Sequence, residues 1–153
     1  TSEPIDTVQQ VDEVVRAYRM RWLIEEFFKV LKSGCAMEER ELESLHTLTN
    51  VLALCMPIAY QLLAVRHLAR TRPTAPASAV LSRTQIEILQ ARTKLGPNPT
   101  ALQALEAIAY LGSHFIPFSR KMPGWQVLSR GMQRLAALEE GWVLRGLEQV
   151  IER

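Results

Sequence analysis

Val8-Gln9-Gln10-Val11-Asp12-Glu13-Val14-Val15-Arg16-Ala17-Tyr18-Arg19-Met20-Arg21-Trp22-Leu23-Ile24-Glu25-Glu26-Phe27-Phe28-Lys29-Val30-Leu31-Lys32-Ser33-Gly34 is the stretch whose reading decides the fold. Just before it stands the extended dipeptide Glu3-Pro4. Asp6 or Thr7 then serves as an N-cap, and Thr7-Val8-Gln9-Gln10 has capping-box spacing. A helix is therefore expected to start here and to run to about Lys32 or Ser33. Gly34 is expected to end it as the left-handed residue. Roughly 25 residues at about 1.5 Å each make it close to 40 Å long. Its apolar residues Val8, Val11, Val14, Val15, Trp22, Ile24, Phe27, Phe28 and Leu31 point in several directions. Such a helix is expected to be covered by protein on most sides.

Outward from this helix, Glu38-Glu39-Arg40-Glu41 forms a charged connector to a second long helix, expected from about Leu42 to Ala69 with a bend near Pro57. The Pro, Thr and Ser content of residues 71–78 reads as a linker. Ser82-Arg83-Thr84-Gln85 and Thr100-Ala101-Leu102-Gln103 open two shorter helices by the same capping pattern, with Gly96-Pro97-Asn98-Pro99 as the turn between them. Gly112 ends the fourth helix, and Pro123 opens a fifth that runs to about Val150. No strand pattern of convincing length occurs, so the chain is expected to be mainly α. In the fifth helix Trp125, Leu128, Met132, Leu135, Leu138 and Trp142 make one apolar stripe. That stripe fits equally a core of its own chain and a helix shared with a second subunit.

Composition narrows the classes. The chain has 153 residues, is 48% hydrophobic and 22% charged, and has a net charge of +2. This suits one globular domain or a domain-sized piece of a larger protein, and excludes disordered and low-complexity classes. Residues 1–50 hold 6 Lys/Arg against 10 Asp/Glu, while residues 51–153 hold 12 against 6. Contact with a polyanion should therefore lean on the second part or on local clusters. Cys35 and Cys55 give no disulfide framework, and His46, His67 and His114 combine with them in no zinc spacing, so no structural metal is expected. Residues 45–65 carry no charged side chain and are long enough to cross a bilayer. Their recurrent polar residues and Pro57 suit a buried helix of a soluble core better. The first residues lack the features of a secretory signal, so a cytoplasmic protein, entered midway, is expected.

Tyr18, Arg21, Glu25, Lys29 and Lys32 stand out on the first helix, spaced so that all five fall within roughly 80° of arc and about 20 Å of length. One account is structural: Arg21, Glu25 and Lys29 form i,i+4 ion pairs, each contributing a few tenths of a kcal/mol. The order of the residues adds a second account. Tyr-x2-Arg-x3-Glu-x6-Lys, set in residues 18–34, resembles the C-terminal catalytic helix of bacterial cut-and-paste DNA transposases of the Asp-Asp-Glu class, in the insertion-sequence-four, transposon-five-like family. The likeness continues through Glu38, Leu42 and Glu43. It returns at Pro123-Gly124-Trp125-Gln126-Val127-Leu128 and Arg130-Gly131.

The resemblance implies that Glu25 matches the family's catalytic, metal-binding Glu, a hard oxygen ligand for Mg²⁺ or Mn²⁺. It implies that Tyr18, Arg21, Lys29 and Lys32 hold DNA phosphates. The fold it implies is the last helix of a ribonuclease-H-like α/β core in residues 1–70, the linker at 71–78, and a helical dimerisation region in 79–153. Partners would be transposon-end and target DNA and a second copy of the chain, with no membrane and no small-molecule substrate. The family's two catalytic Asp residues have no match; Asp6 and Asp12 suit capping and dipole roles instead. The chain alone is thus expected to be inactive, and a truncated, dimerising inhibitor is the alternative. A further basic contact after Gly34 has only Arg40 to supply it. Cys35 and Cys55 are expected as small buried hydrophobes, Trp22 as a core residue, and Arg66, His67, Arg70 and Arg72 as a solvated helix end.

Overall fold

The computed structural model describes residues 3–113 and 122–151, without the side chains of residues 38 and 145–151. Their architecture is α1 (Val8–Lys29), α2 (Leu45–Thr71), α3 (Arg83–Arg92), α4 (Ala101–Leu111) and α5 (Trp125–Ile151). No strand occurs among the described residues; Pro76 and Thr100 form an isolated antiparallel bridge. The mainly α expectation holds. His114 lies outside the described residues.

Helix starts follow the local chemistry. Thr7 Oγ1 accepts from Gln10 N at 3.2 Å while Gln10 Oε1 accepts from Thr7 N at 3.0 Å. Ser82 with Gln85 and Thr100 with Gln103 repeat that reciprocal pair. Each box satisfies two donors that the first turn leaves without helical partners. α2 starts three residues later than expected, because Ser44 is the residue whose hydroxyl accepts from Thr47 N, at 3.1 Å.

The end of α1 differs from expectation. The α-helix stops at Lys29 and a wider π-helical turn carries the chain through Val30–Gly34. The left-handed residue is Ala36, at φ 52°, and not Gly34. Packing explains the change: the wide turn buries Val30, Leu31 and Gly34. Gly34 lies so near α5 that a Cβ there would stand 3.6 Å from Ser129 Cβ. The buried Ser129 hydroxyl donates to the Gly34 carbonyl, and the Arg40 guanidinium donates to the Cys35 carbonyl at 3.3 and 3.4 Å. Carbonyls left over at the helix end thus find partners from elsewhere in the chain.

The core lies among the second half of α2 and α3, α4 and α5, joined by the turn after α1. Cys55, Ala59, Leu62, Val65 and Ala69 form the buried stripe of α2, and Leu105, Ile108, Leu128 and Leu135 are at most 1% exposed. α4 and α5 cross at backbone contact: a Cβ on Gly112 would lie 2.0 Å from Val127 O, and one on Gly131 would lie 1.9 Å from Ile108 O. The expected linker at 71–78 is fastened to the turn before α4. Ala77 N donates to Pro99 O at 2.9 Å, Ala101 N to Ala75 O at 2.7 Å, and Leu102 N to Pro73 O at 3.2 Å. Ala77 itself is fully buried.

Burial decides one open alternative and changes one expectation. The α5 stripe packs on its own chain from Trp125 to Leu135, and the stripe reaches solvent only at Trp142, 49% exposed. α1, expected to be covered, has no buried residue; Val8, Val11, Val15, Trp22, Ile24 and Phe28 are all exposed. The first half of α2 is likewise bare, with Leu45, Leu48 and Leu54 exposed. α2 is long and apolar enough to cross a membrane by length and composition, with a mean hydropathy of 1.7 over its most apolar window. Its second half nevertheless packs in the core.

Candidate nucleic-acid interface

α1 continues as a regular helix through Lys29, so Tyr18, Arg21, Glu25 and Lys29 keep the common face that their spacing requires. All four are exposed. Arg21 Nη2 donates to Glu25 Oε1 at 3.0 Å, and the Arg21 guanidinium lies 5.9 Å from the centre of the Tyr18 ring. The ion-pair account is thus realised for Arg21 and Glu25. At 64% and 48% side-chain exposure, such a pair contributes only a few tenths of a kcal/mol. Glu25 Oε2 makes no hydrogen bond among the described residues.

Lys32 is exposed too, but it sits inside the π-helical turn. There the chain has left the α-helical register, so Lys32 departs from the arc that the first four residues share. Trp22 was expected in the core and is 64% exposed instead. The reason is that, among the described residues, α1 meets the core only near its end, through Phe27. Trp22 joins Tyr18, Arg19, Arg21 and Glu25 around an open concavity of about 520 Å³.

No group of three or more His, Cys, Asp or Glu suited to a metal forms around Glu25 among the described residues. Asp12 pairs with Arg16 at 3.4 Å and Asp6 is exposed ahead of α1; because Thr7 is the N-cap and the first turn holds no acidic residue, neither takes the expected capping or dipole role. On this chain's own donors, a divalent cation would have one carboxylate. That does not fit a site for Mg²⁺ or Mn²⁺, which takes a near-octahedral oxygen shell.

No protein-family model matches this chain. The resemblance therefore rests on the spacing and residue types of the signature.

Two residues near this helix have roles that the sequence did not disclose. Arg66 on α2 was grouped with a solvated helix end. In fact its guanidinium lies 4.1 Å from the centre of the Trp125 ring on α5. Burial pushes its pKa down from the ordinary arginine value, and the Glu26 carboxylate opposes that shift. His67, Arg70 and Arg72 are exposed at the end of α2, as expected. Arg40 is occupied in capping the Cys35 carbonyl. Neither role carries a sequence signal, because each depends on a partner distant along the chain or on the unusual turn.

Cys35 and Cys55 are both buried and free, as expected of small hydrophobes. The Cys35 thiol faces the Cys55 carbonyl oxygen at 3.8 Å. Burial, reinforced by Cys55, pushes the Cys35 thiol up to about 11. A thiol so disposed is a poor nucleophile near neutral pH, because the thiolate is the reactive form.

Proposed function

We propose that this chain is the C-terminal part of a cut-and-paste DNA transposase resembling the insertion-sequence-four family, with Glu25 as one catalytic carboxylate and Tyr18, Arg21, Lys29 and Lys32 as phosphate contacts. The observation that carries the reading is the state of α1. A helix with a polar stripe of the signature order buries none of its residues, and large apolar residues beside the stripe are exposed as well. Exposing Val8, Val11, Val15, Ile24 and Phe28 to water is unfavourable by about 25 cal/mol per Å² of apolar surface. Such faces are expected to be covered by further protein. In this reading that protein is the ribonuclease-H-like sheet carrying the two Asp residues.

The assignment asks Glu25 to supply one hard oxygen ligand of a divalent-metal site whose other ligands come from outside the described residues. When bound, such metals stabilise charge developing at a phosphodiester. The residues of this chain contribute position and charge. Arg21, held against Glu25, brings a guanidinium beside the carboxylate, and Lys29 one turn on adds a second cation. Both attract and orient the DNA backbone. Exposed Trp22 offers a flat apolar surface beside them, suited to stacking on an unpaired base. Dimerisation, if α5 mediates it, falls to the distal part of that helix, where Trp142, Val143 and Leu144 are exposed. Cytoplasmic location is part of the same proposal.

The deciding experiment uses the complete polypeptide that contains this chain, with DNA carrying the transposon ends. Glu25→Gln should abolish strand cleavage in Mg²⁺ or Mn²⁺ while end binding persists. Cleavage at the parental rate would remove Glu25 from the reaction.

A further inference from the structure

A second cationic site lies where α3, α4 and α5 meet. Arg92, Tyr110, Ser113 and Arg134 line an open concavity of about 530 Å³, and no acidic side chain lines it. Among the described residues, neither arginine forms an ion pair. Arg134 is held in place. Its Nη1 donates to the Leu111 carbonyl and, at 3.1 Å, to the Ser113 hydroxyl, which leaves the Nε and Nη2 donors without protein partners among the described residues.

The plain alternative is that both arginines only complement helix C-termini. Arg92 does stand in the last turn of α3, and Arg134 does reach the last carbonyl of α4. The magnitudes do not close on that account. Two helix ends carry roughly −0.5 charge each against two full cations, which leaves a surplus of about +1 facing the concavity. Over the larger part of the chain, residues 51–153 hold 12 Lys/Arg against 6 Asp/Glu, so this concavity lies in the more basic part of the protein.

We propose that this concavity binds a phosphate group of a nucleic-acid backbone. Guanidinium groups pair with phosphate oxygens through two parallel N–H donors. The positive excess of residues 51–153 favours an extended polyanion, which can meet further cations beyond the pair, over a small phosphate-bearing molecule, which meets only the pair. The site is separate from the α1 stripe, and its existence does not depend on the role of Glu25.

The test is fluorescence anisotropy of a DNA duplex of about 20 base pairs titrated with the complete polypeptide over a range of salt concentrations. Arg21→Ala and Lys29→Ala form the background, so that failure of the α1 reading does not affect the outcome. On that background Arg92→Gln with Arg134→Gln should weaken binding about tenfold and reduce the slope of log K against log salt by about 2. Arg92→Gln alone breaks no capping bond and should reduce the slope by about 1; it decides the matter if the double variant fails to fold. Unchanged slopes in a folded variant overturn the proposal. Binding of inorganic phosphate, abolished by Arg92→Gln, without any Arg92-dependent DNA binding would also overturn it, in favour of a small phosphate-bearing ligand.

Discussion

α1 and α5 are the two long helices with the most conspicuous patterns, and they end in opposite environments. α5 places Leu128 and Leu135 at 0% exposure, while α1 buries no residue at all. Both helices carry large apolar side chains along much of their length. A stripe in the sequence states which side of a helix seeks cover; it does not state whether the same chain provides it. For α5 the cover is α4 and the turn after α1. Among the described residues α1 meets the core only through Phe27 near its end, and that difference is what the proposed function of the α1 stripe rests on.

Substitutions at equivalent stripe positions sharpen the contrast. Leu135→Asp buries an unpaired carboxylate in the core, so it should cost about 4 kcal/mol or more and unfold the chain, read by circular dichroism and thermal melting. Val11→Asp on α1 should leave the melting temperature of this chain within its error, because Val11 is already exposed. An intact fold in Leu135→Asp would mean that α5 is held by something other than its stripe.

The α4–α5 crossing provides the next test. Helix propensity alone makes Gly131→Ala stabilising by about 1 kcal/mol. The added Cβ would instead stand 1.9 Å from the Ile108 carbonyl oxygen, so the helices must part. The expected net effect is a loss of about 2 kcal/mol, measured by denaturant unfolding. A gain in stability would show that the two helices do not cross so closely.

A smaller effect depends on pH. Cys35 is raised from 9.0 to about 11 in the folded chain. Its protonated form is favoured on folding, so its contribution to stability is fully present below pH 9.0 and is lost as pH rises to about 11. Cys35→Ala should show a flatter fall in stability over this window; an identical fall would assign the effect to other groups.

Arg21→Ala should also have only a small effect on folding. Its ion pair with Glu25 is exposed, so the chain should lose only about 0.3 kcal/mol. DNA cleavage by the complete polypeptide should fall by at least about tenfold, a charge-assisted phosphate contact being worth roughly 1.5–3 kcal/mol. Equal, small effects on both would reduce the stripe to its ion pair.

The parts legible in advance were those governed by neighbours in sequence. Thr7, Ser82 and Thr100 were read correctly as caps because a hydroxyl and a glutamine three residues on satisfy donors within one turn. The common face of Tyr18, Arg21, Glu25 and Lys29 follows from helical period alone. Trp22 was misplaced in the core because an aromatic ring within an apolar helix looks the same whether or not a neighbour covers it. Gly34 was misread as a left-handed cap because glycine is the usual residue at positive φ, whereas here the turn runs on and Ala36 takes that conformation.

By itself the sequence determined the helical class, most helix starts, the order and spacing of the α1 stripe, and a second part richer in positive charge. Local hydrogen bonding and periodicity suffice for these, since every group involved lies within a few residues of its partner. Only the tertiary structure decided that the α5 stripe is core, that α1 is bare, that the chain turns through a π-helix at Val30–Gly34, and that Arg40 and Arg66 serve packing. Burial is a relation between distant segments. A residue's chemistry fixes what it would gain from cover, and the path of the chain fixes whether cover arrives.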